Sequence, residues 1–252
     1  MGRKLLALLF GAVLVLSGCA SSSEPVETGE RESAAAQEAP TYVAIGASET
    51  VGIGADDRRT EGWTSVLAQR VLPAEADYVN LGISGATVTE ALQQELPKAR
   101  QAEPDLVTVW LNANDVLSGK PVDRYRDELT RLLEALAETD AVVLVANTPP
   151  LSELPAMLAC QPDPPRNGPP CLFGADWPPP NLLTRQIDLY NRAIREVARG
   201  TGAIVVDLYA AAQVRDETKL LSIDGFHPNS KGHRAVAMQF VKTLKRNDIS
   251  FD

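Results

Sequence analysis

Between residues 41 and 246 the chain alternates between two hydrophobic patterns. Short runs dominated by apolar and β-branched residues occupy Tyr42-Val43-Ala44-Ile45 and residues 77–81, 105–111, 141–146 and 203–208. Runs of this length, rich in β-branched residues and largely continuous rather than alternating in apolar character, predict strands covered on both faces. Between them lie stretches with apolar residues at every third or fourth position, which predict helices over 62–71, 87–100, 123–139, 182–199 and 229–246. The third helix shows the pattern most clearly, with Leu129, Leu132, Leu133 and Leu136 on one face. Strands that alternate with helices make a parallel sheet with right-handed crossovers, so the fold class is α/β with helices on both sides of a five-stranded sheet. The expected strand order is 2-1-3-4-5, and no internal repeat interrupts it.

The ends of the chain follow other rules. Arg3 and Lys4 precede the mostly apolar run from Leu5 to Leu16, which is too short to span a bilayer as a helix. Leu16-Ser17-Gly18-Cys19 follows and resembles the lipobox of bacterial lipoproteins. The resemblance implies a signal peptide over 1–18 and a lipid on Cys19, placing the protein outside the cytoplasm on a bacterial membrane. Residues 19–40 are rich in Ser, Glu and Ala without apolar periodicity, and they read as a flexible tether. The folded domain is expected over 41–247, followed by a short tail at 248–252.

At 252 residues, with 44% hydrophobic positions, the chain is long enough for one well-buried domain. Its net charge of −9 supplies no basic face of the kind nucleic-acid binders need, so no nucleic-acid partner is expected.

Ligands of parallel α/β sheets bind beyond the carboxyl ends of the strands. That rule selects Ser48, Gly82 to Gly85, Asn112 to Asp115, the loop at 148–150, and the loop before the last helix. Histidine is the commonest general base near neutral pH, and there are two. His227 stands in Asp224-Gly225-Phe226-His227, where a turn can fold the carboxylate back onto the imidazole. His233 lies in the last helix in a polar context and is expected to be partly exposed and inert. Ser48 follows the first strand, where a base in the His227 loop can reach its hydroxyl and activate it. The glycines after the second strand allow close backbone approach, and the Asn112–Asp115 segment offers a side-chain amide donor. Each signal alone is weak; their order and placement are not.

Together these blocks resemble the SGNH, or GDSL-type, hydrolases. Gly46-Ala47-Ser48 is similar to the nucleophile block of that family. Gly82 matches its glycine block, Asn112-Ala113-Asn114-Asp115 its GxND block, and Asp224-Gly225-Phe226-His227 its DxxH block. The resemblance implies a flavodoxin-like three-layer α/β/α sandwich and a serine hydrolase of carboxylic esters acting through an acyl-enzyme. It also implies that Ser48 is the nucleophile, His227 the base and Asp224 its orienter. The Ser48 and Gly82 N–H groups and the Asn114 side chain would form the oxyanion hole. Two positions depart from the pattern: Ala47 stands where the family has Asp, and Asn112 where it has Gly. Neither performs the chemistry; Ala47 is expected to alter how the nucleophile turn is held, and Asn112 to reshape the pocket floor.

No metal or other cofactor is expected. The partners implied are an ester-containing small molecule or lipid as substrate and a membrane through the anchor, with the protein a monomer. A lysophospholipase, a thioesterase or a polysaccharide O-deacetylase fits the same residues, while a non-catalytic envelope-binding lipoprotein would not require them. Residues 149–180 hold 11 of the 18 prolines and are expected to form a wall or lid presenting Met157, Leu158, Phe173 and Trp177. Cys160 and Cys171 in this insertion are candidates for a disulfide, as suits an exported protein.

Overall fold

A computed structural model describes residues 39–171, 178–213 and 217–251. The expected leader, Cys19 and most of the tether lie outside them, as do Phe173 and Trp177. Strand β1 (Thr41–Gly46) leads into α1 (Ser48–Val51), α2 (Arg58–Glu61) and α3 (Trp63–Val71). Next come β2 (Asp77–Asn80), α4 (Val88–Glu90), α5 (Leu96–Gln101), β3 (Leu106–Trp110), α6 (Ala113–Leu117) and α7 (Val122–Ala137). After β4 (Val142–Ala146) and α8 (Pro155–Ala159), the long α9 (Pro180–Thr201) returns the chain to β5 (Ile204–Val206). Helices α10 (Leu208–Ala212) and α11 (Ser230–Arg246) complete the domain. The strands pair in parallel throughout, in the expected order β2-β1-β3-β4-β5.

Alternate residues of each strand feed two separate cores. Val43, Ile45, Val107, Val109 and Val145 pack against Leu129 and Leu132 of α7 and Ile187 and Ile194 of α9. Tyr42, Ala44, Leu106, Trp110 and Leu144 face the other way, onto Trp63 of α3 and Phe240 and Leu244 of α11. Each large side chain so buried contributes about 1.5–3 kcal/mol. Aromatic contacts lock the layers: Trp63 stacks on Phe240 at 4.4 Å, and Tyr125 meets Tyr190 at 4.3 Å between α7 and α9. The two tyrosine hydroxyls donate to the carbonyls of Leu111 and Lys120, so neither is left unpaired in the core.

Three details depart from the sequence pattern. The single-turn helices α1, α2, α6, α8 and α10 are too short to show a period and appear only in the structure. The helix expected over 87–100 passes through a π-turn at Ala91–Glu95, which turns Glu95 inward. His233 is fully buried, not partly exposed. Its Nδ1 accepts the Trp63 N–H at 3.2 Å and its Nε2 donates to the Ile53 carbonyl at 2.9 Å, so it pins α11 to the start of α3. Burial lowers its pKa, favouring the neutral ring that this pairing requires.

The first part of the insertion, to Cys160, is built largely inward. Leu151, Leu154, Ala156 and Met157 join the core beneath α9, and Cys160 is bonded to Cys171. Closing a loop with a sequence separation of 11 contributes about 2–3 kcal/mol in the chain-entropy view. Replacing both cysteines by serine is therefore expected to lower unfolding free energy by about 2–3 kcal/mol in urea melts.

Candidate active site

Ser48 and His227 meet at the carboxyl edge of the sheet. Ser48 is the first residue of α1, immediately beyond β1, and His227 lies in the loop before α11. Ser48 Oγ is 2.9 Å from His227 Nε2, and His227 Nδ1 is 2.6 Å from Asp224 Oδ2. Ser48 Oγ also lies 3.3 Å from Glu49 Oε2, but a hydroxyl has one proton to give and the imidazole contact is the shorter. With Nδ1–H directed at the carboxylate, Nε2 carries the lone pair and faces the serine. Such a chain can remove the hydroxyl proton as the oxygen attacks an acyl carbon.

The sequence closes the Asp224–His227 pair locally. Asp224 Oδ1 accepts from the Ser222 hydroxyl at 2.6 Å and from the N–H groups of Phe226 and His227 at 2.9 and 3.0 Å. Burial alone would push this carboxyl up, but hydrogen bonds from Ser222, His227 and the backbone outweigh it and hold it at about 2. Asp224 thus stays a carboxylate wherever His227 can act. Gly225 makes the turn with φ of 66°, and a Cβ there would come within 3.0 Å of Pro155 and Pro169. The Ala156 N–H also donates to the Gly225 carbonyl at 3.2 Å. The described part of the insertion is accordingly a wall braced against the histidine loop.

The expected oxyanion donors are differently engaged. The Ser48 N–H makes no hydrogen bond among the described residues and is free for a ligand. Asn114 Nδ2 donates one hydrogen to the Ala86 carbonyl at 2.9 Å, which orients the amide and leaves its second hydrogen available. The Gly82 N–H, by contrast, donates to Asn80 Oδ1 at 2.9 Å, so it serves an oxyanion only by sharing that bond or breaking it. The glycine itself is demanded by packing. A Cβ at Gly82 would come within 2.9–3.0 Å of Thr50 and the Val51 nitrogen in the nucleophile turn.

The two departures from the motif have structural outcomes. Asn112 is buried, and its Nδ2 donates to the Ala146 carbonyl at 3.1 Å, tying the ends of β3 and β4 together. Ala47 packs in the core. Neither position touches the Ser48–His227 contact.

Several supporting residues carry no motif. Asp115, fully buried beside Asn114, pairs with Lys120 at 2.5 Å, and Lys120 also binds Glu128 at 2.7 Å. Burial raises the Asp115 pKa; Lys120 offsets part of that rise and fixes the segment carrying Asn114. Glu95 Oε2 accepts the Gly46 N–H at 2.7 Å, bracing the end of β1 two residues before the nucleophile. Glu95 was discernible only as an acid on an otherwise apolar helix face, between Ala91 and Ala99. Burial pushes it up to about 8, against smaller opposing effects from Gly46 and Lys98. Glu49 is buried beside the serine and had no signal in sequence. Among the described residues, no group of three or more His, Cys, Asp or Glu side chains is placed to hold a metal ion.

Residues 44–235 match the model of the GDSL-like Lipase/Acylhydrolase family. The chain is 26% identical over 169 residues to an acetylxylan esterase of Geobacillus stearothermophilus, covering 66% of this chain and 71% of that protein. It is 27% identical over 228 residues to an acetylxylan esterase of Xylanibacter ruminicola, covering 83% of this chain but 44% of that longer protein. Among solved structures, the psychrotrophic esterase EstA from Pseudoalteromonas sp. superposes with a TM-score of 0.59 at 21% identity, over 82% of this chain and 97% of that one. At that identity the likeness concerns the fold.

The buried Glu95 generates a pH signature. Its folded pKa is raised, so its contribution to stability is complete below the ordinary value of 4.5 and declines until about 8. Thermal melts are expected to show a Tm that falls across this window. Glu95→Gln, which keeps an acceptor for the Gly46 N–H, should flatten that slope; an unchanged slope would assign it to other groups.

Proposed function

The chain belongs to the GDSL-like lipase/acylhydrolase family, a family of carboxylic ester hydrolases, and from that premise we propose that it cleaves esters by double displacement at Ser48. The observation carrying this reading is the unbroken Ser48–His227–Asp224 chain, with contacts of 2.9 and 2.6 Å. Ser48 Oγ attacks the acyl carbon while His227 Nε2 takes its proton. The carbonyl oxygen becomes an oxyanion, held by the Ser48 N–H and the free Asn114 N–H, with Gly82 joining when its bond to Asn80 is shared. Collapse breaks the ester C–O bond, and the alcohol departs with the proton from His227. Water then attacks the acyl-enzyme, His227 takes its proton, and collapse returns that proton to Ser48 as the acid leaves. Asp224 stabilises the imidazolium at both stages and is not itself protonated.

A short acyl group, acetyl above all, is the favoured leaving acid. The names of the two bacterial relatives support removal of acetyl from a carbohydrate as one form of this activity. The Leu16-Ser17-Gly18-Cys19 segment supports placing the enzyme outside the cytoplasm, tethered through a lipid on Cys19. A purely binding role would leave the oriented triad without a purpose.

Aryl esters and thioesters of increasing chain length, alongside an acetylated glycan, test the reading. The wild-type protein is expected to turn over the shortest esters fastest. Ser48→Ala should abolish turnover, and Asn114→Ala should lower kcat by about 10²–10³-fold. Full activity in purified Ser48→Ala protein would refute the assignment.

A further inference from the structure

A small, partly open cavity of about 100 Å³ lies between the ends of the strands, α10 and α11, lined by the chain neighbours of the catalytic pair, Glu49, Phe226 and Pro228. Its walls include Trp110, Leu154, Leu208, Phe226 and Val236, with Gln239 as a neutral polar side chain. Among the described residues, one charged side chain lines it: Glu49, which is only 7% exposed. Among the described residues, the Glu49 carboxylate has a single hydrogen-bond partner, the Ser48 hydroxyl at 3.3 Å, and no cation. The mechanism gives that proton to His227, which leaves the carboxylate without a counterpart. A buried anion ordinarily has one.

We propose that this cavity is a subsite for an alkylammonium group carried by the ester substrate, with Glu49 as its counter-ion. The assignment rests on the ester-hydrolase reading and narrows its substrate class. A carboxylate facing apolar and aromatic walls is the chemical complement of a cation wrapped in methyl groups. The carboxylate meets the charge while Trp110 and Phe226 meet the methyls and add cation–π attraction. A neutral sugar hydroxyl would leave most of these walls unused, and an acidic substituent would be repelled. Size agrees as well. The cavity is smaller than the roughly 150 Å³ space that accepts benzene, so it takes a substituent such as trimethylammonium rather than a whole substrate. The net charge of −9 draws cations towards the protein.

Two measurements test the subsite, one independent of turnover. First, tetramethylammonium chloride is titrated against intrinsic tryptophan fluorescence, with sodium chloride at matched ionic strength as control. A saturable change is expected in the wild type and is lost in Glu49→Gln; its absence from the wild type overturns the subsite even if esterase activity is strong. Second, kcat/KM is compared for ester pairs that differ only in carbon replacing the quaternary nitrogen. One pair places the charge on the alcohol, the other on the acyl chain. The wild type is expected to favour the cationic member of at least one pair by roughly tenfold, chiefly through KM, and Glu49→Gln to erase that ratio. Equal rates for both members in the wild type, or a parallel fall of both in Glu49→Gln, would instead make Glu49 a partner of the nucleophile alone. Loss of turnover on every ester, with tetramethylammonium still bound, would defeat the hydrolase reading and spare the subsite.

Discussion

A proton can leave Ser48 for His227 only while two loops separated by 179 positions are held within 2.9 Å of each other. The parallel sheet makes that possible. Every strand runs the same way, so every strand-to-helix loop emerges at one edge, and the serine, the Asn114 segment and the histidine loop are neighbours by construction. The remaining task is sub-ångström placement, which falls to contacts outside the family motifs. His233 pins α11 to α3, the insertion braces Gly225, and Glu95 grips the Gly46 amide.

Electrostatics divides the acids around this edge into distinct roles. Asp224 is kept ionised by four hydrogen bonds despite partial burial, as suits a group that must face an imidazolium. Glu95 is kept largely neutral by burial, as suits a brace that carries no charge into the core. Asp115 is compensated by Lys120, which in turn holds Glu128. Glu49 stands apart: it is buried beside Ser48 and has no cation partner among the described residues.

The strand runs were legible because both faces of a parallel sheet demand apolar residues, and their alternation with amphipathic helices fixed the layer order. The Asp224–His227 pair was legible because its geometry is local: a glycine turn and three residues suffice. Glu95, Lys120 and Glu49 were not, since burial of a charged side chain cannot be read from residue type, and Glu95 in addition reaches Gly46 across 49 positions. His233 was misjudged for the same reason: polar neighbours in sequence face outward while the ring itself turns into the helix interface. The engagement of the Gly82 amide by Asn80 likewise depends on a side-chain rotation that no pattern encodes.

The central claim is that His227 activates the Ser48 hydroxyl. Intact-protein and peptide mass spectrometry after treatment with an alkyl fluorophosphonate measures that activation directly, since the reagent requires a deprotonated nucleophile. One adduct on Ser48 is expected in the wild type, and its formation should be lost in folded His227→Ala protein. An adduct on another residue, or equal labelling of Ser48 without the imidazole, would contradict it.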